Sequence, residues 1–138
     1  MAPTHLADTL TVVRLSLHVA AATVWVGGQL VMAGLMRTVR TLGSDAPKKM
    51  AQAFGRLSWP AFWLLVVTGF WNFAESSPAS ATTSWSAVFG IKMLFVLIAG
   101  LGAWLHTKAS TAKTRGMFAG IGMLATLVAM VLGVALAG

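Results

Sequence analysis

The sequence predicts an all-α integral membrane protein, an antiparallel four-helix bundle with both termini outside, and three observations carry that prediction. Hydrophobic residues make up 57% of the 138 positions and charged ones only 9%, with a mean hydropathy of +0.80. A water-soluble domain carries roughly 25% charged residues, so this chain lacks the polar surface to cover a globule in water. Four apolar runs each reach the roughly 20 residues that a helix needs to cross hydrocarbon. Basic residues gather between alternate runs, the pattern that membrane orientation imposes.

The first run extends from about Leu10 to Met36, the second from about Met50 to Ala74, the third from about Ala87 to His106 and the fourth from about Gly116 to Ala137. Irregular backbone would leave unsatisfied polar groups in lipid, so each run is expected to be helical. The opening stretch "MAPTHLADTL" has no basic n-region, and the first run is longer than a cleaved signal sequence uses, so it is expected to be retained. The runs form a single transmembrane domain over residues 1–138, without a clear internal repeat or a separate soluble domain.

Orientation follows from the connections. Arg37, Arg40, Lys48 and Lys49 fall between the first two runs, with Arg56 in the opening turns of the second, against a single acid, Asp45. Lys108, Lys113 and Arg115 fall between the last two, while "ESSPASATTSWS" between the second and third has no basic residue. The positive-inside rule places both basic turns in the cytoplasm of a bacterial inner membrane. Short connections favour an antiparallel four-helix bundle, and glycines such as Gly27, Gly28, Gly69, Gly102 and Gly122 allow close helix approach.

Composition also removes function classes. The chain has no cysteine, which excludes disulfides and thiolate metal sites. Its net charge of +7 is dispersed between hydrophobic runs, so the lipid bilayer explains it and nucleic acid does not. The acids are Asp8, Asp45 and Glu75, none within a run, so paired-carboxylate, serine-triad and acid-dependent proton-transport chemistries lack their parts. There is no phosphate-binding glycine loop.

At about 1.5 Å per residue, position along a run becomes depth in the membrane. His18 is placed about 7 Å outside the midpoint of the first helix. Lys92 and Met93 of the third helix, Met130 of the fourth and Thr68 of the second fall within about a turn of that level, with Asn72 slightly farther out. His106 lies about 20 Å below, near the cytoplasmic boundary, so His18 and His106 are not expected to share one metal ion. Arg14, His18, Trp25, Gln29, Met32 and Met36 recur at helical spacing as a stripe, which reads as inward-facing, with the Leu and Val side toward lipid.

Each of these residues also has a purely structural reading. His18 serves packing if it only hydrogen-bonds Thr68 or a carbonyl. Lys92 and Arg14 serve solubility if they snorkel to the outer headgroups. His106 and Trp104 mark the inner boundary, and the methionines are core fillers. On the functional reading, one imidazole with thioethers and no acid or thiol suits Cu(I), and a neutral imidazole also serves as an axial ligand of haem iron. In the haem case Arg14 and Lys92 would pair with propionates, or a deprotonated Lys92 would complete the iron coordination.

Several stretches resemble known families. "LHVAAATVWVGGQLVMAGLMR" is similar to the copper-resistance D (CopD) membrane domain, whose signature is a histidine, small residues and then Trp-x-Gly-Gly. "FGRLSWPAFWLLVVTGFWN" and "FGIKMLFVLIAGLGAW" look like the elements that follow it, so the resemblance runs over about residues 14 to 106. The order of His, Trp, Lys and a distal His is also similar to the HemJ type of protoporphyrinogen oxidase, with His18 and Lys92 on that family's key positions. This chain has "VMAGLMR" where that family carries Pro-Arg-Leu. The CopD resemblance implies copper handling in the cytoplasmic membrane, and the shared depth of His18, Met93 and Met130 makes these the candidate metal ligands, with a copper-delivery partner expected. The HemJ resemblance implies a haem b oxidoreductase with an electron-transfer partner, its cofactor among His18, Lys92, Arg14, Trp25, Thr68 and Asn72. A structural subunit of a larger membrane complex or a homo-oligomer is the third expectation.

Overall fold

The computed structural model describes residues 5–137, so the first four residues and Gly138, both in the termini expected outside, lie beyond the described residues. Helices account for nearly all of the described chain, and no strand occurs among the described residues. Helix α1 covers Thr9–Ala22 and continues through a π-helical turn, Thr23–Gly27, into α2, Gly28–Val39, and a 3-10 turn, Arg40–Leu42. Helix α3 covers Ala46–Glu75, α4 covers Thr83–Lys108 and α5 covers Ala112–Ala137.

Local chemistry sets the boundaries. The Asp8 carboxylate accepts from the Thr11 backbone N–H at 3.0 Å and from the Thr11 hydroxyl at 2.7 Å, which caps the first turn of α1. Those bonds hold the exposed Asp8 carboxyl below the usual aspartate range. Gly43, at φ 128°, ends the first span in a conformation that a side chain would oppose. Pro47 occupies the first turn of α3, where its missing N–H leaves no hydrogen bond unmade. Thr82 caps α4 by accepting from the Trp85 backbone N–H at 3.2 Å.

Four helical segments are long and apolar enough to cross a membrane: Thr9–Leu42, Ala46–Glu75, Thr83–Lys108 and Ala112–Ala137. Each exceeds the run read from hydropathy. Arg37 and Arg40, expected in a loop, are helical, as are Lys48, Lys49, Arg56, Lys108, Lys113 and Arg115; the first connection is reduced to Gly43–Asp45. Hydropathy measures the apolar length, whereas the hydrogen-bonded length continues for as long as good helix formers such as Lys and Arg permit. Leucines and valines near the middle of the spans stay exposed, among them Val19, Leu30, Val67, Leu97, Leu124 and Val131. Such apolar belts suit acyl chains as solvent.

The chain divides into two compact units, one ending at Ser77 and the other beginning at Pro78. In the first, α1 and α2 pack on α3, with Ala21, Trp25, Val39, Ser58, Ala61, Phe62 and Thr68 buried. Arg14 meets Asn72, His18 meets Thr68 and Trp25 meets Phe62, so the helices run in opposite senses. In the second unit Trp85 Nε1–H donates to the Leu136 carbonyl at 3.4 Å and His106 contacts Arg115, which again places the helices in opposite senses. Between these ends the helices touch backbone to backbone. A methyl added at Gly102 would lie 2.8 Å from Gly122 Cα and 3.2 Å from the Phe118 carbonyl oxygen.

Candidate functional site

The polar residues of the first unit form two rungs between α1 and α3. Arg14 and His18 are four residues apart on α1, and Thr68 and Asn72 are four apart on α3, so each pair shares one helix face. The outer rung is Arg14 Nη1–H donating to Asn72 Oδ1 at 2.8 Å. The inner rung joins His18 Nδ1 and Thr68 Oγ1 at 2.7 Å. The imidazole lies across the bare Gly69 surface of α3, where an added methyl would rest 3.6 Å from its Cε1.

Thr68 Oγ1 lies 2.7 Å from the Leu64 carbonyl and 3.3 Å from the Leu65 carbonyl, and His18 Nδ1 lies 2.7 Å from the same oxygen. A hydroxyl has one proton, so when the Leu64 carbonyl takes it Thr68 accepts from Nδ1–H; in either direction the bond holds the imidazole plane against α3. Thr68 is only 1% exposed, so this orienting group is shielded from water.

About two turns inward the site closes on an aromatic floor. Trp25, 4% exposed, projects from the π-helical turn and packs on Phe62 at a ring separation of 4.6 Å and on Trp59 at 5.8 Å. Gln29 Nε2–H donates to the Trp25 carbonyl at 3.0 Å, giving a partner to an oxygen at the edge of that turn. The Phe54 ring edge sits against Gly28, so an added methyl there would push that ring aside. The stripe read from the sequence is thus covered along its length: Arg14, His18, Gln29, Met32 and Met36 are half-buried, and Trp25 is buried.

The second unit holds the other candidates. Lys92 is half-buried on α4, and its ammonium lies over Gly133 of α5, where an added methyl would stand 3.2 Å from Nζ. Met93 is half-buried on α4, while Met130 is 45% exposed on α5. His106 Nδ1–H donates to the Arg115 carbonyl at 2.9 Å, and Arg115 Nη2–H donates to the Ala109 carbonyl at 3.3 Å, so His106 stitches the α4–α5 turn.

Arg14, His18, Trp25, Thr68 and Asn72 are therefore brought together in the first unit, while Lys92, Met93 and Met130 belong to the second. Among the described residues no group of three or more His, Cys, Asp or Glu side chains is placed to hold a metal ion. The donor set suits a centre that takes a single protein imidazole, and not a closed multi-ligand cage. Sequence reading missed two participants, the π-helical turn and the Gly69 surface under His18; the "VWVGG" run was the available signal for the first. No protein family, curated protein or solved structure matches this chain.

Proposed function

We propose that this chain is a CopD-like, multi-pass protein of the cytoplasmic membrane that handles copper, with His18 as the residue that meets the metal. The observation that supports this reading most is the placement of His18: a half-buried imidazole within an apolar span, held at 2.7 Å by the buried Thr68 hydroxyl and flanked one turn away by the Arg14–Asn72 pair. The metal would be cargo, in the soft cuprous state that imidazole and thioether ligands favour. The basic turns, with Arg37, Arg40, Lys48 and Lys49 on one and Lys108, Lys113 and Arg115 on the other, support a topology with both in the cytoplasm and both termini outside.

A second reading is favoured by Arg14. A cation one helical turn from the imidazole repels a copper ion but suits the carboxylates of haem b, whose iron needs only one histidine. Bound haem would supply one-electron chemistry; His18 would hold it, Thr68 would fix the ring and Arg14 would pair with a propionate.

One preparation separates these readings. Detergent-solubilised protein that retains copper by metal analysis, and loses it in His18→Ala, supports copper handling. A Soret band lost in His18→Ala supports haem. Neither signal in the wild type rejects both and leaves a structural subunit.

A further inference from the structure

Arg14 is a charged group whose partner does not match it. It is half-buried where two membrane-spanning helices meet, and its guanidinium contacts the neutral amide oxygen of Asn72. A guanidinium carries five N–H donors in a planar fork, and one bond to an amide satisfies one of them. The chain's three acids are engaged or placed elsewhere. Both oxygens of Asp8 serve Thr11, Asp45 pairs with Lys49 at 2.6 Å, and Glu75 is exposed at the end of α3 without an ion pair to Arg14. A cation in a low-dielectric surrounding without a counter-charge is costly, and membrane proteins keep such groups where an anion meets them.

The geometry points to Arg14 as the anchor for an amphiphilic anion, a carboxylate or phosphate carried on an apolar body. Asn72 Oδ1 holds one edge of the fork and so fixes its plane, leaving further N–H groups for bidentate recognition of an oxyanion. Arg14 stands five residues, about 8 Å of helix, inside the first residue of α1, at the depth where a polar head meets acyl chains. Exposed Val13 and Leu17 border it on α1, an apolar margin for the ligand's body. The carboxylate half of this assignment rests on the haem reading above, in which Arg14 meets a propionate; the phospholipid half stands without it.

The shared chemistry has two sources, an anionic phospholipid headgroup or a planar apolar carboxylate, and a metal-free experiment tells them apart. Full-length protein is placed in nanodiscs of phosphatidylcholine alone or with phosphatidylglycerol, and its melting temperature is followed. In parallel, metal-free protoporphyrin and its dimethyl ester are titrated by tryptophan quenching. Either phosphatidylglycerol raises the melting temperature, or the diacid binds at least about tenfold tighter than the ester, and Arg14→Gln removes the difference. Arg14→Lys keeps the charge without the fork and retains part of it, which separates loss of the anion from misfolding. Equal behaviour of all probes in the wild type, or an anion preference that survives in Arg14→Gln, overturns the assignment. Because no metal is present, failure here leaves the copper and haem readings of His18 to their own test.

Discussion

At the scale of single residues, the inner rung turns on one hydroxyl. Thr68→Val keeps the shape of the side chain and removes its oxygen, so the half-buried His18 Nδ1 loses the contact it makes at 2.7 Å. The expected cost is about 1–3 kcal/mol, read as a lower melting temperature in detergent, with Thr68→Ser close to wild type. Asp8 gives a second prediction. Its carboxyl is held below its ordinary value in the folded chain, so its capping is fully present above that ordinary value and is lost as pH falls through the depressed one. Protection of the Thr11 and Val12 amides, taken relative to the intrinsic exchange rate at each pH, should therefore fall in acid, and Asp8→Ala should remove that pH dependence. The His18–Thr68 contact was legible as the packing role open to His18, because polar side chains at matching depths in apolar runs have few places to go. The Arg14–Asn72 contact was not, since depth alone does not say which polar groups meet across two helices.

At the scale of elements, helix identity was legible and helix length was not. Apolar runs of sufficient length have one stable backbone in lipid, so four spans followed from composition alone. Their ends lie beyond the runs because Arg37, Lys48 and Arg115 extend the helices without adding hydropathy. Close approach shows the same division. "GLG" and "GIG" in the last two spans announced small surfaces, but only the coordinates pair Gly102 with Gly122. Gly102→Ala brings a methyl against backbone, which has no rotamer to yield, and is expected to destabilise by about 1–3 kcal/mol in thermal denaturation. Gly120→Ala, which meets nothing within 4 Å, should be neutral. Gly28→Ala meets the edge of the Phe54 ring, and Gly28→Ala with Phe54→Leu should recover most of the loss.

At the scale of the whole molecule, orientation is the prediction to check, and the absence of cysteine makes the check simple. Single cysteines at Ser44, Ala79 and Ser110 sit in the three connections between spans. A membrane-impermeant maleimide added to intact cells should label Ala79→Cys and spare Ser44→Cys and Ser110→Cys; the reverse pattern refutes the topology. The π-helical turn at Thr23–Gly27 reaches beyond its own five residues. A wide turn takes in an extra residue, so the portions of the first span on either side of it are out of phase by roughly 100° relative to an unbroken helix. Shortening that turn by one residue would spin the His18 half against the Gln29 half like a slipped gear tooth. Hydropathy would hardly register the change, yet a different set of side chains would then look toward α3.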